Sequence, residues 1–214
     1  MNKLYADTFR WLAIGLLVSF VTGFGIASSQ SLLIAIVSNP LGLLLPILVQ
    51  LGVCVAFGFV LRKVSYSTCI FLFLLYSFLT GLDIAVLLWV FELSSVITIF
   101  FGTAFIFALI AFIGKYLDVD VSKFGVILFA TLIGIIVTSI LNVLVFHSTS
   151  LGLLISAVGV VIFMGYIIYD LKILEPLSRE VGEEKASIYC AFQLYLDFIN
   201  LFIRLLEIFG KRRD

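Results

Sequence analysis

The sequence predicts an all-α integral membrane protein with seven transmembrane helices, six of which enclose a central C-terminal helix that carries a polar stripe. Three observations lead to this fold class. Of the 214 residues, 63% are hydrophobic and 12% are charged, whereas soluble domains are nearer to about half apolar and about a quarter charged. The apolar residues fall into runs long enough to cross a bilayer, and the last run has ionisable residues on one face. We expect one polytopic membrane domain over residues 1–214.

Apolar runs of roughly 18 to 24 residues mark the candidate spans. The first run follows a charged N-terminus, as in a signal peptide, but it continues to Ala27 without a convincing cleavage site, so we interpret it as a retained span. After it, the run from Leu32 to Val37 is too short to cross. The spans are predicted at about Phe9–Ala27, Leu41–Leu61, Thr68–Trp89, Ser95–Ile113, Phe124–Phe146, Leu151–Leu174 and Ala186–Gly210 (spans 1 to 7). A transmembrane β-barrel would instead alternate polar and apolar residues over about ten positions.

The distribution of Lys and Arg predicts that the N-terminus is cytoplasmic. With that placement nine basic residues lie on the inner side, and the outer loops, Ser28–Pro40, Phe91–Ser94 and the region around His147, contain none. The nine are Lys3, Arg10, Arg62, Lys63, Lys115, Lys123, Lys172, Arg179 and Lys185. Seven crossings place the basic tail Lys211–Arg213 outside. We favour this arrangement over a re-entrant span 7 that returns the tail to the inner side.

Span 7 carries a single file of polar residues. The steps between them are 4, 3, 4, 3 and 4 residues, so at about 100° per residue they fall within an arc of roughly 80°. The residues are Gln193, Asp197, Asn200, Arg204, Glu207 and Lys211. Ionisable groups at membrane depth face a bundle interior or a water-filled cavity. The rest of the chain therefore has to enclose span 7.

Two of the ionisable residues at membrane depth, Asp170 in span 6 and Asp197 in span 7, form the most informative pair. Two carboxylates brought together at low dielectric cannot easily both ionise, so they share a proton and titrate as a unit. A nearby guanidinium favours the ionised form, and Arg62 at the inner end of span 2 is the best-placed candidate. From periodicity alone, a proton or ion sensor and a salt bridge that only fixes helix packing are equally open.

Two segments resemble a known family. GYIIYDLKIL at Gly165–Leu174 and LYLDFINLFIRLLEIFG at Leu194–Gly210 closely resemble the transmembrane Bax inhibitor motif family, and in particular its bacterial YetJ-type members. The Arg-Lys pair after span 2 and the segment Phe101–Gly125 are also similar. The resemblance implies six helices around a central seventh helix. It also implies a pH-sensitive calcium leak across a membrane. The similarity to bacterial members favours a bacterial plasma membrane as the location.

The resemblance also implies roles for particular residues. It places the family's aspartate dyad at Asp170 and Asp197, and its latching arginine at Arg62. The resemblance implies that the pore opens to a cation when the dyad is ionised and released. The pore closes when the dyad is protonated or held by the arginine. Bacterial relatives carry a glutamate in span 2, where this sequence has Gln50 or Leu51.

The predicted ion chemistry is that of a leak. Calcium prefers about six to eight oxygen ligands, so two carboxylates helped by Asn200 or Asp83 make a weak site that a permeant ion can leave. We expect calcium contacts at Asp170 and Asp197 and no tightly bound cofactor. Asp83 alternatively partners Arg204 or a backbone group. Arg204 and Glu207 are further candidates for pathway lining.

Other classes of protein were weighed against a leak. An intramembrane aspartyl protease also has a Tyr-Asp motif and a second aspartate, but Leu194–Leu196 stands where a Gly-x-Gly run would precede that aspartate, so we expect no enzyme. A proton-coupled transporter would show inverted repeats and broken helices. In a non-conducting regulatory or interaction protein the dyad would be structural. The expected partners are the bilayer, calcium ions and protons. The zero net charge gives no basis for nucleic-acid binding.

Overall fold

The computed structural model describes residues 2–117, 121 and 124–213, and these residues are predominantly helical. Lys123, one of the nine residues behind the predicted orientation, lies outside the described part. The helices are α1 (Asn2–Ala27), α2 (Gln30–Ser38), α3 (Pro40–Val60), α4 (Tyr66–Val90), α5 (Leu93–Tyr116), α6 (Phe124–Leu141, continued by a π-helical turn at Asn142–Phe146), α7 (Thr149–Val181) and α8 (Glu183–Phe209).

Six helices of the described chain are long and apolar enough to cross a membrane, namely α1, α4, α5, α6 with its π-helical turn, α7 and α8. This confirms the all-helical integral membrane class. In α3 the apolar stretch Leu44–Val60 is shorter. The predicted span 2 corresponds to α3, and its crossing of the membrane stays a prediction. The enclosure of α8 by six other helices also stays a prediction.

The segment too short to cross forms the nine-residue helix α2. The turn that follows it is determined by its sequence. The side-chain oxygen of Asn39 accepts a hydrogen bond from the backbone N–H of Leu41 at 3.0 Å, and Pro40 occupies the first turn of α3. Both are favoured at helix N-termini, because Asn satisfies a donor that the helix leaves unpaired and Pro lacks that donor.

The prediction of a loop between spans 6 and 7 is wrong. A loop was expected after Leu174, but α7 continues through Pro176 to Val181, and α8 begins at Glu183. Only Gly182 connects them, with φ +88°, and its N–H donates to the carbonyl of Ser178 at 3.0 Å. Glycine adopts this left-handed conformation without steric cost and so terminates α7.

The chain divides into two compact units. The first consists of Met1–Glu92, Leu174–Tyr195 and Arg212–Asp214, and the second of Leu93–Ile173 and Leu196–Lys211. Both α7 and α8 contribute to each unit. Within α8, 72% of the most apolar window is buried, against 11–33% in the other five long helices. The burial of α8 agrees with the reasoning that its polar stripe cannot face lipid.

In the first unit, aromatic rings from α3 and α4 pack against the first half of α8. The ring centroids of Phe57, Phe73 and Tyr76 lie 5.0–6.1 Å from those of Phe192 and Tyr195. These separations fall within the range of favourable aromatic pairs. The rings therefore fix this half of α8 against its neighbours.

In the second unit, Phe198 on α8 packs against aromatic rings of α5. Its ring lies 5.5 Å from that of Phe100 and 5.6 Å from that of Phe107, both on α5. Phe100 and Phe107 lie about two turns apart on the same face of α5, so the Phe198 ring packs against that face.

The C-terminal residues after α8 are held by backbone hydrogen bonds. In the first unit Arg212 forms an isolated antiparallel bridge with Phe91, and the Arg213 N–H donates to the carbonyl of Val90 at 3.0 Å. In the second unit the Lys211 N–H donates to Ser95 Oγ at 3.0 Å. The tail thus lies beside the connection between α4 and α5. The helix α8 is continuous, and the side of the membrane on which the tail lies stays a prediction.

Candidate functional site

The second unit brings the two predicted dyad aspartates together. Asp170 is on α7 and Asp197 is on α8, and their carboxyl groups are in hydrogen-bond contact with each other. The two residues are 2% and 4% exposed. The two carboxyl groups are therefore close together and buried, and their role in ion or proton chemistry stays a prediction.

One buried oxygen of each carboxyl group receives no hydrogen bond. Among the described residues, Asp170 Oδ1 and Asp197 Oδ2 are buried and have no hydrogen-bond partner. Buried polar atoms are seldom left unsatisfied, because each one costs about 1–3 kcal/mol or more. The phenol of Tyr166 is near enough to interact electrostatically with both carboxyl groups. The arrangement is suited to holding a proton between the pair or to contacting a cation.

Arg62, the predicted latch, follows α3 in the first unit. Its Nε donates to Glu180 Oε1 at 2.6 Å, and the two side chains are 73% and 50% exposed. This hydrogen bond raises the pKa of the Arg62 guanidinium above its usual value. Exposed ion pairs contribute little to stability because water and salt screen them. Glu180 is thus the partner of Arg62 in this structure, and the latch stays a prediction.

Asp83 is held by a residue on the neighbouring helix of the first unit. Gln50 Nε2 on α3 donates to Asp83 Oδ2 at 2.7 Å and lies 3.4 Å from Thr80 Oγ1. Arg204 or a backbone group was expected as the partner of Asp83, but Asp83 accepts its hydrogen bond from Gln50 instead. Gln50 therefore makes a contact between two helices.

The lower part of the stripe makes contacts within the second unit. Asn200 Nδ2 donates to the carbonyl of Leu196, one turn back on its own helix, at 2.8 Å. Arg204 Nη1 pairs with Glu207 Oε2 at 3.0 Å, and the same oxygen accepts a hydrogen bond from Ser156 Oγ at 2.6 Å. Arg204 and Glu207 are thus tied to each other and to α7.

Three partners were missed from the sequence. Glu180 pairs with Arg62, Ser156 donates to Glu207, and the hydroxyl of Ser19 shares a hydrogen bond of 2.5 Å with that of Tyr195. Single serines in apolar helices carry no pattern that distinguishes them from other small residues. Glu180 was predicted to lie in a loop, so neither its position on α7 nor its contact with Arg62 was foreseeable.

The described residues bring few potential metal ligands together. In residues 2–117, 121 and 124–213, no group of three or more His, Cys, Asp or Glu side chains has the arrangement of a metal site. The dyad supplies two carboxyl groups, fewer ligands than calcium prefers.

Long apolar helices, with a buried carboxyl pair on the last two, define a polytopic α-helical membrane protein. The family model described as "Inhibitor of apoptosis-promoting Bax1" matches residues 1–214. The chain belongs to this Bax inhibitor family, which confirms the resemblance.

Several relatives match along nearly their whole length. A protein of Borreliella burgdorferi is 35% identical over 218 residues, covering 100% of this chain and 94% of the relative. The inner membrane protein YbhL of Escherichia coli K12 is 33% identical over 214 residues, covering 97% and 91%. A protein of Deinococcus radiodurans is 35% identical over 213 residues, covering 98% and 90%.

Proposed function

We propose that this protein is a pH-sensitive calcium leak channel gated by the Asp170–Asp197 dyad. The observation that carries the proposal is the proximity of two buried carboxyl groups, each of which has one buried oxygen that receives no hydrogen bond. A bacterial plasma membrane with the N-terminus in the cytoplasm completes the proposal, in keeping with the inner-membrane name of the relative YbhL.

The gate works through the charge of the pair. With one proton shared between them, the two carboxyl groups attract each other and hold α7 against α8. Loss of that proton leaves two like charges in contact at low dielectric, where their repulsion is strong. The carboxylates then separate and turn their oxygens toward the pathway. Two carboxylates bind calcium weakly, so the ion passes on.

Arg62 acts as the latch in this proposal. A guanidinium held against the ionised dyad neutralises the repulsion and keeps the pathway closed. Glu180 competes for the same guanidinium, since it accepts a hydrogen bond from Arg62 at 2.6 Å. Latching therefore requires Arg62 to leave Glu180, and the exposure of that pair makes the exchange inexpensive.

Calcium flux into proteoliposomes, measured between about pH 6 and pH 8, tests the gate. We expect the wild-type leak to rise with pH as the dyad loses its proton. Asp170→Asn and Asp197→Asn each replace one carboxyl group by an amide that can donate permanently to the remaining aspartate. Both variants should lose the pH dependence and stay closed. Arg62→Ala should leak more than wild type at high pH.

Asp83→Asn is the matched control, because it makes the same change at a carboxyl group that Gln50 holds in the first unit. We expect this variant to retain the wild-type pH dependence, whatever its leak rate. A leak without pH dependence, or one indifferent to the changes at Asp170, Asp197 and Arg62, contradicts the mechanism. Absence of calcium flux in a folded protein would favour the transporter or the regulatory protein.

A further inference from the structure

A second candidate site lies in the first unit, where α1, α4 and α8 begin. It is a cavity of about 290 Å³, close to the lower end of the roughly 300–1,000 Å³ that small-molecule sites occupy. Side chains from all three helices line it, including Lys3 and Arg10 of α1, Tyr66 of α4, and Glu183 and Glu184 of α8. No residue of the dyad is among its lining residues.

The walls of the cavity carry charges of both signs. Lys3 and Arg10 stand on the α1 side, and Glu183 and Glu184 form the first turn of α8. Asp7 is engaged by Arg10 Nη1 at 3.0 Å, which leaves other N–H donors of the guanidinium available. A simple anion would meet the two glutamates and a simple cation would meet Lys3 and Arg10. A ligand with both charges satisfies both walls.

The remaining wall is apolar and continues into the membrane-spanning part of α1. Trp11 and Ile14 line the cavity, and both lie toward the middle of a helix whose later residues are almost all apolar. Tryptophan is enriched at the level of lipid headgroups, where its ring meets both apolar and polar surroundings. Tryptophan beside charged side chains is typical of the headgroup level of a bilayer.

We propose that this cavity binds the headgroup of a phospholipid that carries phosphoethanolamine. The phosphate lies against Lys3 and Arg10, and the primary ammonium lies between Glu183 and Glu184. The three N–H donors of an ammonium match two carboxylates, whereas a quaternary choline has none. The cavity accommodates the headgroup alone, so the acyl chains follow Trp11 and Ile14 outward along α1. The bound lipid ties the starts of α1 and α8 together.

Lipid binding to the purified full-length chain in detergent tests the proposal. Native mass spectrometry gives apparent dissociation constants for dioleoyl phosphatidylethanolamine, phosphatidylcholine and phosphatidylglycerol, and for soluble glycerophosphoethanolamine. We expect phosphatidylethanolamine to bind about tenfold more tightly than the other two lipids, because each of them lacks the N–H donors that the glutamates need. Soluble glycerophosphoethanolamine should bind more weakly, since it has no chains to lie along α1.

Two variants separate the two charges. Lys3→Gln should weaken binding of phosphatidylethanolamine about tenfold. The double change Glu183→Gln with Glu184→Gln should abolish the preference over phosphatidylcholine. Lys63→Gln, at an exposed lysine outside the cavity, is the control and should bind as wild type does.

Several results would overturn the proposal. Equal affinity for the three lipids excludes a phosphoethanolamine site, and equal affinity for soluble glycerophosphoethanolamine excludes a lipid as the ligand. A loss at Lys63→Gln as large as that at Lys3→Gln would mean that net charge, rather than the cavity, determines binding. Circular dichroism of each variant identifies a change that acts by unfolding. If the double variant unfolds, Lys3→Gln still decides the outcome.

Discussion

Replacing Gln50 by Leu removes the hydrogen-bond donor that holds Asp83. In the first unit the amide nitrogen of Gln50 lies 2.7 Å from Asp83 Oδ2, and Gln50 is 8% exposed. Leucine has a similar size but no donor. The change therefore leaves a carboxyl group at membrane depth without its partner on α3, and the expected effect is a loss of stability rather than a change of shape.

The magnitude follows from the geometry of the contact. Hydrogen bonds between membrane helices contribute about 0.6 kcal/mol on average and about 1.7 kcal/mol at most, whereas those to charged groups in soluble proteins reach about 1.5–3 kcal/mol. A distance of 2.7 Å is short for N–H···O and is typical of a strong hydrogen bond. We therefore expect a coupling of about 1.5 kcal/mol between the two side chains.

A double-mutant cycle measures this coupling. The free energy of unfolding in mixed detergent micelles is determined for wild type, Gln50→Leu, Asp83→Leu and the double variant. Gln50→Leu alone should cost about 2 kcal/mol, and the double variant should cost less than the sum of the single ones. Thr80→Val is the control, because Thr80 lies 3.4 Å from the same amide and should show a coupling below about 0.5 kcal/mol. A coupling near zero between Gln50 and Asp83 would refute the reasoning.

Two further predictions concern packing within a single unit. A Cβ at Gly159 would lie 3.2–3.3 Å from the Arg204 side chain, whereas one at Gly134 has open space around it; Gly159→Val should therefore cost about 1–3 kcal/mol more than Gly134→Val in the same unfolding assay. Tyr195→Phe removes the hydroxyl that shares a 2.5 Å hydrogen bond with Ser19, and it should destabilise the protein by about 1 kcal/mol or more.

Each of these two predictions has an outcome that counts against it. Equal costs for the two valine variants would mean that Arg204 moves aside without losing its contact with Glu207. For Tyr195→Phe, the control is Tyr116→Phe, because Tyr116 is 68% exposed. If the two tyrosine changes had the same effect, the buried hydroxyl would make no measurable contribution.

The sequence predicted most of the long helices because their apolar runs are separated by polar residues. The predicted helix ends were wrong where charged and apolar residues are mixed in the sequence. Residues after Leu174 are charged and include Pro176, features that suggest a loop, yet α7 continues to Val181. The length of an apolar run predicts how much of a helix crosses the membrane. The helix itself can be longer, because polar residues beyond the apolar run can also form helical backbone hydrogen bonds.

The candidate site was predictable in part. The spacing of the stripe on α8 pointed to Asp197, the presence of an ionisable residue within span 6 pointed to Asp170, and the family resemblance pointed to both. The hydrogen bond between Gln50 and Asp83 joins two helices, and nothing in the local sequence of either helix specifies the other partner. The same reason explains why the pairing of Arg62 with Glu180 was missed, since these residues are distant in the chain.

The restraints at the two ends of α8 limit how this helix can move. At its start only Gly182 separates it from α7. At its end the backbone of Lys211 and Arg213 is bonded to Ser95 and to Val90. A piston-like shift by one helical turn, about 5.4 Å, would break both of these hydrogen bonds and strain the single-residue connection. Rotation about the helix axis, or repositioning of side chains, leaves both ends in place. In the channel proposed above, changes in accessibility between the open and closed states should therefore alternate around the circumference of α8 rather than progress along its length.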